Sequence, residues 1–287
     1  MSNVEALDAE LVFGRVRPTV PGVHVSSKPV WLTVGYTLSI SSRFLLKHAL
    51  GNGTIAAADA LIDWYWRKII ASGNAELWAE GRKHIPSTAV VVMTNHASLL
   101  DIPALMGTFP HSLRMVSKEE ITNLPIWGQA LKASGFVPVN RKNRTQAIAQ
   151  LEVAKAQLRR GVSVWISPEG TRSRSAKLMP FKKGGFHIAV ALGVPVVPGF
   201  IEGSETVLPP DTFKVRQDGR MTVRYGAPIP TAHVVKNGEV DADGFAQLMV
   251  DVRTAVLALS KLPPEKIDGA WTPPAAVAPP SALKRSA

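Results

Sequence analysis

Apolar and polar positions follow two different periods along this chain. Over residues 31–50 a wide apolar face (Trp31, Leu32, Tyr36, Leu38, Ile40, Phe44, Leu45) is broken by a narrow polar stripe (Thr33, Thr37, Ser41), which is helical spacing. Gly51-Asn52-Gly53 reads as a turn, and a second helix is expected over about residues 55–70. From residue 85 short apolar runs take over: 89–93, 114–117, 136–140, 162–166, 195–201 and 221–225 read as strands. Residues 98–107, 125–133, 144–160 and 183–192 read as helices between them, and about 243–260 as a last helix. Strands alternating with helices predict an α/β fold, with a largely parallel or mixed sheet covered by helices. The chain then divides into an irregular leader (1–28), an N-terminal helical hairpin (29–75), an α/β domain (80–262) and a Pro/Ala-rich tail expected to be disordered (263–287).

Charge sharpens this picture. The net charge is +11, and residues 81–185 carry all of the excess, with 16 basic against 5 acidic side chains. Such a concentrated basic field attracts phosphates on nucleic acid, on an anionic membrane or on a small substrate. It equally suits a solvated surface that keeps the protein soluble. The chain has no cysteine, which excludes disulfides, cysteine nucleophiles and thiolate metal sites. The acidic start (Glu5, Asp8, Glu10) does not read as a secretory signal, and the run at 30–42 is too short to span a bilayer. Trp64-Tyr65-Trp66 beside Arg67 and Lys68 has the make-up of an anchor at lipid headgroup level. A hairpin packed on the domain with its aromatics in the core fits the same pattern.

Candidate chemistry begins at Asn95-His96-Ala97-Ser98-Leu99-Leu100-Asp101, directly after a strand-like run. Across a strand–helix turn Asp101 can fix the tautomer of His96 and stabilise the imidazolium formed when His96 takes a proton. Ser98 lacks the G-x-S-x-G elbow of a serine nucleophile and reads as a helix N-cap. The deprotonated group is then the hydroxyl of a substrate. A second element, Ser167-Pro168-Glu169-Gly170-Thr171-Arg172-Ser173-Arg174, follows the run at 162–166. A tight turn with backbone N–H groups, a hydroxyl and guanidinium forks can grip a phosphate. A plain strand–loop with a charge-paired Glu169 is the alternative. Lys118 and Arg141 each follow another strand, so parallel strands would bring them to the same sheet edge as His96 and Arg172. The strand around Val194-Pro195-Val196-Val197-Pro198 carries two prolines and is expected at an edge, at a bulge or as the wall of an apolar cavity.

In this order, N-H-x-S-x-x-D (95–101), K…P-x-x-G…G…V-x-R (118–141), P-E-G-T-R-S (168–173) and V-P-V-V-P (194–198) are far more specific together than singly. The set resembles the glycerolipid acyltransferase family, which includes the 1-acyl-sn-glycerol-3-phosphate acyltransferases, over about residues 85–200 and loosely to 230. The resemblance implies His96 as general base with Asp101 as its partner. It implies acceptor binding by Arg141, Glu169, Gly170, Thr171 and Arg172, with Lys118 a weaker carry-over. It further implies an α/β sheet with an N-terminal two-helix membrane-docking element and direct transfer from acyl-CoA or acyl-carrier protein to lysophosphatidate, with no cofactor and no metal. The expected partners are membrane lipid, an acyl thioester and an acyl-carrier protein, with no nucleic acid, at the cytoplasmic face of a membrane as a peripheral protein. Ser167, Asn140 and Glu120-Ile121 depart from the family pattern next to the implied phosphate site, which leaves acceptor identity open, a lyso-aminolipid or dihydroxyacetone phosphate included. From other classes, a nucleic-acid-binding module leaves the His96–Asp101 pair without a role. An inactive membrane adaptor predicts lipid binding without transfer.

Overall fold

The computed structural model describes residues 8–15, 24–139, 144–269 and 271–274. The elements run β1 (Ala9–Phe13), β2 (Val25–Ser26), α1 (Lys28–Ala49), α2 (Ile55–Ser72), β3 (Glu76–Glu80), β4 (Val91–Thr94), α3 (Asp101–Thr108), β5 (Leu113–Lys118), α4 (Glu119–Thr122), α5 (Trp127–Ala133), β6 (Val137–Val139), α6 (Arg144–Arg159) and β7 (Ser163–Ile166). They continue with α7 (Gly184–Leu192), β8 (Val196–Glu202), α8 (Ser204–Val207), β9 (Val215–Arg216), β10 (Arg220–Tyr225) and α9 (Ala242–Ser260). Local chemistry sets several bounds. Thr54 caps α2 by accepting from Ala57 N at 3.1 Å, Asp241 caps α9 through Gly244 N at 3.0 Å, and Gly193 ends α7 in a left-handed conformation.

Eight strands form one mixed sheet in the order β1-β3-β10-β8-β4-β7-β5-β6. The run β8-β4-β7-β5-β6 is parallel throughout. β10 joins β8 antiparallel, β3 lies parallel to β10, and β1 closes the far edge antiparallel to β3. Successive residues of each central strand face opposite sides. Val92, Trp165, Val197 and Val223 pack with Trp66 and Ile70 of α2 and Leu105 of α3. Val91, Met93, Val164 and Val196 pack with Phe186 of α7 and with Phe245 and Val252 of α9. Both faces are therefore covered, which is why these strands read as unbroken apolar runs.

The expected strands and helices from residue 85 onward each coincide with an element, but three expectations differ and one strand was unforeseen. The leader is not irregular where it is described: β1 pairs with β3, Leu11 opposite Trp78, and Phe13 sets its ring edge-on to Trp66 with centroids 5.5 Å apart. β3 itself was hidden because its ladder partners lie far off in sequence. The expected tail is ordered on the domain as far as it is described, with Leu178 N bonded to Lys266 O and Asp268 N to Leu178 O. Residues 1–7, 16–23, 270 and 275–287 of leader and tail lie outside the described residues. Finally, β8 is an interior strand in spite of Pro198. The ladder to β10 ends at Gly199–Tyr225, and the Pro198 carbonyl accepts from Gly226 N beyond it. A strand residue directs its N–H and C=O to the same side, so the donor missing at Pro198 falls where the antiparallel ladder has already stopped.

The aromatic cluster of α2 also resolves against the headgroup anchor. Trp66 is in the core, and Tyr65 Oη shares a hydrogen bond with Thr37 Oγ1 at 2.8 Å. Trp64 packs edge-on against Tyr36 with the Arg43 and Lys68 cations over its ring. Within the two helices the exposed large apolar side chains lie on α1, at Trp31 (73%), Val34, Leu38 and Leu46. Among the described residues no helix is long and apolar enough to cross a membrane.

Candidate active site

The parallel strands β4, β7, β5 and β6 end along one edge of the sheet, where β5 ends at Lys118 and the turns after β4 and β7 carry their candidate residues. β4 stops at Thr94. Asn95 then continues its ladder with a side chain, donating to Ile201 O at 2.9 Å and accepting from Ile201 N at 2.7 Å. This fixes the turn that presents His96. The imidazole stands edge-on to Trp165, centroids 5.5 Å apart, and Trp165 Nε1 is held by Thr94 Oγ1 at 2.9 Å.

His96 Nδ1 lies 2.7 Å from Asp101 Oδ2, with the Asp101 side chain fully buried and the His96 side chain 17% exposed. Oδ2 also accepts from Ala97 N at 2.7 Å and Ser98 N at 2.9 Å, and the Ser204 hydroxyl of α8 donates to Oδ1. Four donors leave this carboxylate no freedom to turn. Because a carboxylate only accepts, Nδ1 carries the ring proton and Nε2 keeps a lone pair for another proton. Ser98 is buried, its hydroxyl donating to Leu208 O at 2.8 Å and accepting from Leu100 N at 3.2 Å. It is not the N-cap of α3, which is Leu100. It braces the turn one step earlier.

The loop after β7 wraps this turn. Ser173 N donates to His96 O at 2.7 Å. Glu169 does not face outward as an acceptor-binding group would. It is 1% exposed, and its oxygens accept from His96 N at 2.9 Å and Met179 N at 3.1 Å. Burial pushes its carboxyl up to about 8, with the Asp101 charge adding to the rise, while the two backbone donors and the Arg253 cation pull it back. Gly170 adopts φ +74°, and a Cβ there would meet Lys182 Cδ at 3.0 Å and Nζ at 3.4 Å, so glycine lets an ammonium lie against the turn. Thr171 is exposed and Arg172 half-buried at the rim. Arg172 Nη2 and Arg174 Nε each stand 3.5 Å from the Asp211 carboxylate. Lys118 is exposed at the end of β5, two strands and so about 10 Å from the end of β4. Arg141 and Asn140 lie outside the described residues.

Sequence reading missed Ser204, Trp165 and Lys182. Lys182 carried a signal in the basic excess, whereas Ser204 meets Asp101 only through the fold. Among the described residues no group of three or more His, Asp or Glu side chains is placed to hold a metal ion. A cavity of about 540 Å³ opens beside the start of β5, lined by Asp59, Trp66, His111 and Arg114, and its walls include none of the residues above.

Residues 77–202, from β3 through β8, match the family model described as Acyltransferase. Over this span the chain resembles the Acyltransferase family. The matched span holds His96, Asp101, Lys118 and the loop at 167–174. The chain is 36% identical over 167 residues to a 1-acyl-sn-glycerol-3-phosphate acyltransferase of Cocos nucifera, covering 56% of this chain and 54% of that protein. It is 34% identical over 158 residues to 1-acyl-sn-glycerol-3-phosphate acyltransferase alpha of Homo sapiens, covering 53% and 54% respectively. The chain thus spans about half the length of the curated relatives it matches. Its fold is shared with the crystal structure of the 1-acyl-sn-glycerophosphate (LPA) acyltransferase PlsC from Thermotoga maritima. The TM-score is 0.66 at 23% identity, covering 81% of this chain and 92% of that one.

Proposed function

We propose that this chain moves a fatty acyl group from acyl-CoA or acyl-carrier protein to the sn-2 hydroxyl of 1-acylglycerol-3-phosphate, giving phosphatidic acid. The observation that carries the reading is the 2.7 Å contact between His96 Nδ1 and an Asp101 carboxylate saturated by donors. His96 Nε2 takes the proton of the acceptor hydroxyl as its oxygen attacks the thioester carbonyl carbon. The tetrahedral oxyanion collapses, the carbon–sulfur bond breaks, and the departing thiolate receives that proton from the imidazolium. No acyl-enzyme is needed, in keeping with the burial of Ser98.

The acceptor's phosphate is held by the basic side of the edge, with Arg172, Thr171 and the Gly170 turn beside His96 and Lys118 further out, and Arg141 serves as a further cation for it. Glu169 serves by bracing His96. The exposed α1 face (Trp31, Val34, Leu38, Leu46) supplies peripheral contact with a membrane, on its cytoplasmic side.

The test is acyl transfer by the purified chain in detergent micelles, from labelled acyl-CoA and acyl-carrier protein to lysophosphatidate, beside His96→Ala. The wild type should transfer, and the variant should lose at least about 100-fold in rate. Near wild-type turnover by His96→Ala would sink the mechanism.

A further inference from the structure

The segment after α9 returns to the loop that braces His96. Leu178 forms a parallel bridge with Ile267, through Leu178 N to Lys266 O at 3.0 Å and Asp268 N to Leu178 O at 2.9 Å. Trp271 Nε1 donates to Phe181 O at 3.2 Å. Between these contacts sits Arg253 of α9, 5% exposed, with its guanidinium carbon 5.1 Å from the ring centroids of both Phe181 and Trp271. Its Nη1 donates to Met179 O at 2.9 Å. The N–H of the same Met179 donates to Glu169 Oε2, and Glu169 Oε1 accepts the N–H of His96. One residue and one carboxylate therefore separate a buried cation on α9 from the backbone of His96.

The charges that bear on Glu169 are few. Asp101 opposes its ionisation from the β4–α3 turn, and Arg253 favours it from α9. Burial lowers the pKa of Arg253, while Glu169 and Asp268 favour its cationic form. A carboxylate is the form of Glu169 that best accepts two backbone N–H groups on two oxygens. A cation packed between two aromatic rings is held in place while keeping its charge in a poorly solvated site.

We propose that Arg253 is a positioning residue for acyl transfer: clamped between Phe181 and Trp271, it holds Met179 and the Glu169 carboxylate so that His96 keeps its orientation. The inference rests on His96 being the base.

The test compares wild type, Arg253→Met (stem kept, charge and donor lost), Arg253→Lys (charge kept) and Trp271→Leu. Each is followed by kcat and KM against pH, by thermal unfolding, and by 13C NMR of the Glu169 carboxyl. Arg253→Met should fold, lose roughly 10- to 100-fold in kcat and keep its KM for lysophosphatidate, since a small misplacement of the base penalises chemistry rather than binding. The Glu169 titration and the rising limb of kcat should move to higher pH, because the cation that favours the carboxylate is gone. Arg253→Lys should restore the position of the limb. Unchanged kcat and an unmoved Glu169 titration in Arg253→Met overturn the proposal, and so does a raised KM at intact kcat. If Arg253→Met does not fold, Trp271→Leu decides by the same two readouts. His96→Ala, measured alongside, separates failure of the base reading from failure of the positioning role.

Discussion

Asp101 accepts from His96 Nδ1, Ala97 N, Ser98 N and the Ser204 hydroxyl, and each of these is a donor that an amide cannot satisfy from its nitrogen side. Whichever way the amide of an Asp101→Asn variant turned, its NH₂ would face at least one of them. The substitution should therefore lower kcat by at least about 100-fold and destabilise the fold by about 1–3 kcal/mol. Acyl-transfer rates and urea unfolding check the two parts. Glu169 gives a pH prediction. Its folded carboxyl is raised from 4.5 to about 8 chiefly by burial, so between those values the folded state binds more protons than the unfolded one. Its contribution to stability is highest at and below about 4.5 and falls as pH rises to about 8. Glu169→Gln should flatten that slope in denaturant midpoints measured across the interval, and an identical slope in the variant would refute the assignment. The His96–Asp101 pair was legible because both partners sit on one strand–helix turn. The bracing role of Glu169 was not, since Met179 and Arg253 meet it only through the fold.

At the scale of elements, helical periodicity found both α1 and α2 but did not say which apolar residues would be covered. Trp64, Tyr65 and Trp66 looked like an anchor by composition, and packing against α1 and the sheet absorbed all three. The uncovered apolar residues Trp31, Val34, Leu38 and Leu46 recur at multiples of three and four residues and so share one face of α1. Replacing Trp31 and Leu46 together by serine should leave unfolding free energy within about 1 kcal/mol of wild type, because exposed positions contribute little to packing. Liposome cosedimentation should fall severalfold in the same variant. Undiminished cosedimentation would move the lipid contact elsewhere. Pro198 of β8, with Pro195 just before the strand, teaches the complementary lesson. Composition argued for an edge, a bulge or a cavity wall, and the register with β10 made an interior position harmless.

For the molecule as a whole, the basic excess at residues 81–185 coincides with the half of the sheet whose strands are parallel and end beside His96. Binding to vesicles rich in anionic lipid should accordingly weaken as salt rises from about 50 to about 300 mM, since the Debye length shortens from about 14 to about 6 Å. Salt-independent binding would assign the contact to the apolar face of α1 alone. The parallel half of the fold was readable from strand–helix alternation. The other half was readable only in part: the run at 221–225 is β10, but β1 and β3 went unread and pair with strands far off in sequence. That arrangement also dictates an order of events during synthesis. Among the described residues, β10 is the strand that joins the β1–β3 ribbon to the rest of the sheet, and it comes late in the chain. While a ribosome translates the stretch from β3 to β10, on the order of 10 s at ordinary elongation rates, the early ribbon keeps an open edge. Until Tyr225 emerges, the amino-terminal strands depend on chaperones or on their own short length to avoid pairing with a neighbouring nascent chain.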